Sequence, residues 1–284
     1  MRYPRRCAFY SQRRRIKLLS SISHGYIDHS GITTFAQAAN ACQITLGFGY
    51  DTCTFLSALG LLAGGDIPFR FFEVDNSIYR IDHYDGNQAN FNLDRFERLV
   101  NITQKYGGQF GNSAFAEERV LVYNEAKNSN PTFNAGIRWL AVTTAERVFI
   151  FRALPNGTHP ELADYQNVAP FYMNETFPER WFRRATPYSL VNTGTDIATL
   201  LASSSELTVP GQNQGLNIFV PLDMDLGSVS PASASCFLAT ALFDSTPGFL
   251  APGLTSNFNV VQSFLNGAVK PFFASFNCPI LEFG

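Results

Sequence analysis

Residues 34–46 read TFAQAANACQITL and carry the clearest helix signal in the chain. Thr34 and Gln37 have the spacing of a capping box, in which the two residues exchange hydrogen bonds at the start of a helix. Apolar residues then recur at helical spacing, at Phe35, Ala38, Ala39 and Cys42. We therefore predict a helix over about 34–46, and similar signals further along the chain indicate a mainly α protein.

Two further segments have both a start and a stop signal for a helix. Asn92 opens the first, and the Gly107-Gly108 pair should end it. Ser113 is a candidate cap for the second. The Asn130-Pro131 pair should end this second helix, because the residue before a proline is disfavoured in a helical conformation. The region from 92 to 130 is therefore predicted to be two consecutive helices.

A fourth helix and one hairpin complete the pattern. The helix should run from Gly136 into the region of Glu146. Residues 207–222 contain Pro210-Gly211 and a run of strand-forming residues, which predicts a short β-hairpin. No repeat or low-complexity linker divides the chain. Residues 18–284 are therefore predicted to form a single mainly α domain with a minor β-hairpin.

Composition narrows the classes of partner. A net charge of -2 and 15% charged residues give no reason to expect nucleic acid. The longest apolar stretch, residues 55–65, is about half of a membrane span, so we expect no membrane partner. The 27 phenylalanines exceed the needs of an ordinary core and favour an apolar pocket lined by aromatic side chains. Nothing in the sequence determines the oligomeric state.

The start of the chain and its remainder give conflicting indications of compartment. Residues 1–17 contain seven arginine and lysine residues without the apolar stretch of a secretory leader, and are interpreted as a basic N-terminal tail. Three glycosylation sequons and a late cysteine pair indicate instead a secreted glycoprotein. These residues are Asn101, Asn156 and Asn174, with Cys236 and Cys278.

Two separated elements carry a family resemblance. Residues 72–80 read FEVDNSIYR, and Glu146 is followed three residues later by Phe149. This combination of carboxylate, hydroxyl and aromatic side chains resembles the distal heme pocket of the fungal heme-thiolate peroxidases, the chloroperoxidase and unspecific peroxygenase family. The resemblance continues at His24-Gly-Tyr-Ile, Leu46-Gly-Phe48, Asn130-Pro131 and Phe177-Pro178. It implies a multi-helix heme-peroxidase fold of the chloroperoxidase type.

The resemblance also implies two cofactors, heme b and magnesium. Glu73, Asp75 and Ser77 match the family's Glu-Gly-Asp-x-Ser element. The match implies a magnesium ion held by the Glu73 carboxylate, the carbonyls of Val74 and Asp75, the Ser77 hydroxyl and a heme propionate. Oxygen ligands of this kind are what magnesium requires. Cys236 and Cys278 are similarly implied to form the family's disulfide near the C-terminus.

The implied activity is oxidation of an apolar or aromatic organic substrate by hydrogen peroxide. Glu146 resembles the residue that moves a proton between the peroxide oxygens. Phe48, Phe72 and Phe149 fall where peroxygenases place phenylalanines over the distal heme face. Members of this kind occur in fungal secondary-metabolite pathways, including mycotoxin pathways of the sterigmatocystin type, and we expect a comparable role.

Two positions separate this chain from the best-known members of the family. The arginine that assists the glutamate in peroxygenases corresponds to Trp139, and its neighbour Arg138 is the candidate substitute. Chloroperoxidases place a histidine where this chain has Val74. Because valine cannot ionise, Val74 favours chemistry of the peroxygenase type over histidine-assisted halogenation.

The largest departure concerns the heme iron. The family's Pro-Cys-Pro cysteine should stand at residue 15, where the chain has Arg15, and a guanidinium has no lone pair to donate. Three explanations are open: a mispredicted start, ligation of the iron by Cys7 as a thiolate favoured by nearby arginines, or a non-catalytic family member that binds heme or a small molecule. Cys42 and Cys53 are interpreted as buried, unpaired small residues.

Overall fold

The computed structural model describes residues 7–8, 26–27, 32–62, 84, 91–174, 176–204, 208–223, 229, 233, 236–237, 267, 274 and 278. Seven α-helices lie within these ranges. They are α1 (Phe35–Leu46), α2 (Tyr50–Leu62), α3 (Leu93–Gln104), α4 (Asn112–Ser129), α5 (Ile137–Ala153), α6 (Tyr165–Met173) and α7 (Leu190–Ala202). None of these seven helices is long and apolar enough to cross a membrane.

Two small antiparallel sheets accompany the described helices. β1 (Cys7–Ala8) pairs with β2 (Ile32–Thr33), and Cys7 lies opposite Thr33. The second sheet has the order β3-β4-β5 and contains β3 (Asn134–Ala135), β4 (Gly211–Asn213) and β5 (Phe219–Pro221). Strands β4 and β5 form the predicted hairpin, and β3 adds a strand that the sequence analysis missed. The prediction of a mainly α fold with a minor hairpin is confirmed.

Local capping explains where most helices begin. At the start of α1, Gln37 N donates to Thr34 Oγ1 (3.2 Å) and Thr34 N donates to Gln37 Oε1 (2.9 Å), as the predicted capping box requires. Asn92 caps α3 through Arg95 N (3.0 Å). The predicted cap at Ser113 is wrong. Gly111 is the N-cap of α4 without a side-chain bond, and Ser113 lies exposed in the first turn.

Two helices that the sequence analysis did not predict have ordinary caps of their own. Asp164 Oδ1 accepts from Asn167 N (2.9 Å) at the start of α6. Ser189 and Asn192 form a second capping box at the start of α7. Helix α7 packs against α2, α4 and α5, so it is a central element of the core.

Two disulfides are present in the described residues. Cys42 of α1 is bonded to Cys53 of α2, with a Cα to Cα distance of 5.7 Å. The interpretation of these two cysteines as unpaired is therefore wrong, because the short turn between α1 and α2 brings them together. The second disulfide joins Cys236 to Cys278, the pair implied by the resemblance.

Helices α4 and α5 are joined by a buried ion pair. Arg147 binds the Glu118 carboxylate through Nε (2.7 Å) and Nη2 (3.2 Å), and its Nη1 donates to the carbonyl of Thr143 (2.9 Å). The side chains are 0% and 1% exposed. Because Arg147 directly follows Glu146, this bond fixes the rotation of α5 at the position that carries the candidate catalytic carboxylate.

Glu118→Gln should lower the free energy of unfolding by about 3–5 kcal/mol, because it leaves the buried Arg147 guanidinium without a counter-charge. Urea denaturation measures this change. Glu125→Gln is the control, since Glu125 pairs with Arg95 and Arg98 on a partly exposed surface and should cost about 1 kcal/mol or less. Equal losses in the two variants would contradict the assignment.

Candidate active site

The rings of Phe48 and Phe149 meet in the interior. Their centroids are 5.0 Å apart with an interplanar angle of 48°, and both side chains are buried. Phe48 also contacts the ring of Tyr188, with a centroid distance of 5.8 Å. Phe48 comes from the turn between α1 and α2, whereas Phe149 comes from α5. Two of the three phenylalanines predicted to line a pocket are therefore adjacent.

The turn that carries Phe48 is bonded to the segment before α7. Tyr188 N donates to Gly47 O (3.1 Å), Gly49 N donates to Tyr188 O (2.9 Å), and Thr52 Oγ1 donates to the same carbonyl (3.0 Å). Leu190 N, at the start of α7, donates to Asp51 Oδ2 in the first turn of α2 (2.9 Å). These bonds hold the backbone of the turn on both sides of Phe48.

Gly47 is required for this close approach. Its φ of 68° lies in the left-handed region, and a Cβ at this position would come within 2.6 Å of Arg184 Cγ and 2.8 Å of Arg184 O. The Cys42 to Cys53 disulfide closes the two helices on either side of the turn. Phe48 is therefore positioned by backbone geometry and a covalent link.

A partly buried polar network supports Tyr188. Its hydroxyl donates to Asp196 Oδ2 (2.6 Å), and Arg152 binds the same carboxylate through Nε and Nη2 (2.8 Å each). Burial raises the pKa of the Tyr188 hydroxyl far above its usual range, and the Asp196 carboxylate adds to this effect. The hydrogen bond to Asp196 raises the pKa of Arg152. Tyr188 thus stays neutral and Arg152 charged, which holds α5 against α7 beside the Phe48 turn.

Glu146 lies on α5 one turn before Phe149 and is partly buried. The three-residue spacing places the two residues on neighbouring parts of the same helix face, about 4.5 Å apart along the axis. Glu146 and Phe149 therefore project from the same side of α5, and Phe149 packs against Phe48.

The candidate assisting arginine is further away. Arg138 lies in the first turn of α5, eight residues before Glu146 and thus about 12 Å from it along the helix axis. Trp139, at the family's arginine position, packs against Tyr123 and Phe133 with centroid distances of 6.0 and 5.8 Å. An aromatic cluster occupies the place where the sequence comparison expected a cation.

Several predicted site residues lie outside the described part of the chain. They are Phe72, Glu73, Val74, Asp75 and Ser77. In the part that is described, no group of three or more His, Cys, Asp and Glu residues is placed to hold a metal ion. Cys7 lies in β1 and pairs with Thr33, which is two residues before the first residue of α1.

The family model described as Peroxidase, family 2, matches residues 22–186, which is more than half of the chain. The chain belongs to this family of fungal heme-thiolate peroxidases. It is an oxidoreductase of the peroxidase and peroxygenase type.

Three relatives of this family 2 peroxidase cover most of its length. The dothistromin biosynthesis peroxidase dotB of Dothistroma septosporum is 27% identical over 330 residues, which is 93% of this chain and 77% of the relative. The aromatic peroxidase fscJ of Fusarium equiseti is 23% identical over 71% of this chain and 58% of its own. The aromatic peroxygenase of Cyclocybe aegerita is 26% identical over 68% of this chain and 58% of its own.

The sequence analysis did not predict the hydrogen-bonded residues that hold the Phe48 turn of this family 2 peroxidase in place. Tyr188, Asp196 and Arg152 come from separate elements and have no shared local motif. The only signal in the sequence was the Ser189 and Asn192 spacing, which marks the start of α7 and so the position of Tyr188 just before it.

Gly47→Ala should lower the free energy of unfolding by about 3 kcal/mol or more, because the left-handed φ is strained and the new Cβ meets the Arg184 backbone. Gly107→Ala is a matched control. Its φ is also 68°, but no atom lies within 4 Å of the added Cβ, so only the backbone strain of about 1 kcal/mol remains. Urea denaturation compares the two variants, and equal losses would show that the Arg184 contact does not constrain the turn.

Proposed function

We propose that this family 2 peroxidase uses hydrogen peroxide to oxidise a small apolar or aromatic organic substrate beside Phe48, Phe149 and Glu146. The observation that carries the proposal is the buried contact between the two rings, 5.0 Å apart, with Glu146 one helical turn away. Such a site combines an apolar surface for the substrate with one ionisable group for proton transfer.

Heme b is the cofactor that the family implies. A flat apolar macrocycle suits the paired rings of Phe48 and Phe149. The chain has five cysteines, and four of them form the two disulfides, so Cys7 is the thiol left to supply a thiolate. When bound, heme supplies the redox-active iron that takes up the oxidising equivalents of peroxide.

Glu146 carries the proton transfer in this proposal. Its carboxylate accepts the proton from one oxygen of hydrogen peroxide and returns it to the other oxygen, which leaves as water. The glutamate therefore ends the step in the ionised form in which it began. The buried bond between Arg147 and Glu118 keeps the adjacent backbone from rotating while the proton moves.

Phe48 and Phe149 bind the substrate and exclude water. An aromatic substrate gains from edge and offset contacts with two fixed rings, each worth about 0.5–1.5 kcal/mol beyond the area buried. The bonds of the Phe48 turn to Tyr188 keep the two rings in place before the substrate arrives. This preorganisation reduces the entropy cost of orienting the substrate.

Two finer assignments rest on the sequence resemblance. Magnesium would be held by the oxygens of Glu73, Val74, Asp75 and Ser77, a donor set that suits this ion. The resemblance would have Arg138 assist Glu146, which lies about 12 Å further along the axis of α5.

The biological role follows the names of the relatives. Because a dothistromin biosynthesis peroxidase and two enzymes named for aromatic substrates resemble this chain, we assign it to the oxidation of an aromatic secondary metabolite, as expected for a mycotoxin pathway.

We also assign this protein to the secretory pathway. Its two disulfides support this assignment, since such bonds persist in oxidising compartments. Among the three sequons, the side chains of Asn101 and Asn174 are exposed and are therefore candidate glycosylation sites. The side-chain amide of Asn156 instead donates a hydrogen bond to Arg180 O (3.1 Å).

A second function is favoured by one observation. Arg15 stands where the family has its ligating cysteine, so a non-catalytic protein that binds heme or a small molecule has a physical basis. Such a protein would take up heme or an aromatic ligand without peroxide turnover. The persistence of Glu146 beside the ring pair favours the enzyme.

Glu146→Gln should reduce peroxide-dependent oxidation of an aromatic test substrate by about 100-fold or more, because the amide cannot accept the proton. Heme content, measured from the Soret absorbance, should stay unchanged. Glu161→Gln changes an exposed glutamate and should retain full activity. Full activity in Glu146→Gln would remove Glu146 from the mechanism, and an inactive wild-type protein with bound heme would support the non-catalytic function.

A further inference from the structure

The hairpin formed by β4 and β5 exposes a group of large aliphatic side chains. Residues 207–222 contain no charged side chain, although charged residues make up 15% of the chain. The exposed aliphatic residues of this segment are Val209, Leu216, Ile218, Val220 and Leu222. Leu216 and Ile218, at the tip of the hairpin, are 52% and 57% exposed. Single exposed aliphatic residues are ordinary, but a group of them on one hairpin marks an interaction site.

The packing of Phe219 explains why its neighbours face outward. The Phe219 ring lies against Tyr123 of α4 with a centroid distance of 6.5 Å, and Lys127 Nζ lies 3.8 Å from its centre. Because successive side chains of a strand point to opposite faces, Ile218 and Val220 point away from α4. The inner face of the hairpin therefore packs on the protein, and the outer face presents aliphatic side chains.

The hairpin is fixed to the end of α4. Asn213 Nδ2 donates to the carbonyls of Lys127 and Asn130 (2.7 Å each). Near the tip, Gly215 N donates to Pro131 O (3.0 Å). The aliphatic side chains are thus presented on a rigid support, so ordering of the backbone adds little to the entropy cost of binding.

A second copy of the chain fits this face poorly. A stable protein interface buries about 800 Å² on each partner, whereas five partly exposed aliphatic side chains offer roughly half of that area. Addition of a strand is also disfavoured, because Pro221 in β5, at the edge of the described sheet, has no N–H to donate. The area and the strand edge both disfavour a dimer through the hairpin.

A lipid surface has neither requirement. Hydrocarbon accepts aliphatic side chains of any shape, and their transfer out of water is favourable in proportion to the apolar area removed. A segment without charges, such as 207–222, enters the interface without the cost of burying an ion. Asp223 is exposed at the base of the hairpin and can stay in water while the tip inserts.

We propose that Leu216 and Ile218 insert into the outer part of a lipid bilayer and dock this family 2 peroxidase peripherally on a membrane, with Val220 widening the contact. Such insertion reaches about 5–10 Å into the boundary between headgroups and acyl chains and needs no membrane-spanning helix. It departs from the expectation of no membrane partner, which rested on the length of a membrane span. The contact is separate from the proposed peroxide chemistry and does not depend on it.

Co-sedimentation of the full chain, with heme supplied, and phosphatidylcholine vesicles tests this proposal. These vesicles carry no net charge, so the basic residues 1–17 gain little from them. The bound fraction should rise with lipid concentration and should not fall between about 0.1 M and 1 M salt, because salt screens charges and leaves apolar contacts intact. No binding, or loss of binding at the higher salt concentration, would overturn the proposal.

Single substitutions locate the contact. Ile218→Ser should weaken partitioning onto the vesicles by about 10-fold or more, because it removes a large aliphatic group from the inserted tip. Ile44→Ser is the matched control, since Ile44 on α1 is 52% exposed, and it should bind as the wild type does. Equal binding by the two variants would contradict the proposal.

Tryptophan fluorescence gives a readout that does not depend on loss of binding. In Leu216→Trp, the emission should shift to shorter wavelength when vesicles are added, because the indole ring moves from water into the lipid interface. Ile44→Trp should show no such shift. An unshifted emission from vesicle-bound Leu216→Trp would show that the tip does not insert.

Light scattering on a sizing column, without lipid, tests a second copy as the alternative occupant of this face. We expect the wild type and Ile218→Ser to have the same mass. A wild-type dimer that becomes a monomer in Ile218→Ser would assign the hairpin to an interface between copies and overturn the lipid contact.

Discussion

The backbone hydrogen bonds between the Phe48 turn and Tyr188 are the constraint on which the candidate site depends. Gly47 permits a left-handed turn, and its close contact with Arg184 leaves no room for a side chain. The Cys42 to Cys53 disulfide fixes the two helices that flank this turn. As a result, the ring of Phe48 packs against the rings of Phe149 and Tyr188, which lie more than 100 residues further along the chain.

The ion pairs extend this constraint to α5. Arg152 and Asp196 join α5 to α7 beside Tyr188, whereas Arg147 and Glu118 join α5 to α4. Both arginines lie within two turns of Glu146, so the helix that carries the proposed proton-transferring group is held on two faces. Breaking the buried pair of Arg147 and Glu118 is costly, and rotation of α5 is therefore strongly disfavoured. The rigidity of this helix serves a reaction that requires fixed geometry.

Local signals in the sequence predicted the helices capped at Thr34 and Asn92 and the hairpin at Pro210-Gly211, but not the helices α6 and α7, although these also begin with side-chain caps at Asp164 and Ser189. The disulfide between Cys42 and Cys53 was not predictable in the same way. A buried free cysteine and a paired one give the same helical spacing, and only the chain reversal at the Phe48 turn distinguishes them. The network of Tyr188 and its partners was missed because its members are brought together by packing between helices. Phe48 and Phe149 were identified from family resemblance, and the fold places them in contact.

We propose that Cys7 supplies the thiolate when this family 2 peroxidase binds heme. The ferrous carbon monoxide absorption spectrum of the full chain with heme supplied, recorded beside that of Cys7→Ala, tests this ligation. We expect a strongly red-shifted Soret band for the wild-type chain and its loss in Cys7→Ala, since electron donation from a thiolate produces this signature. Heme uptake without the red-shifted band, or a band that survives in Cys7→Ala, would show that Cys7 is not the ligand.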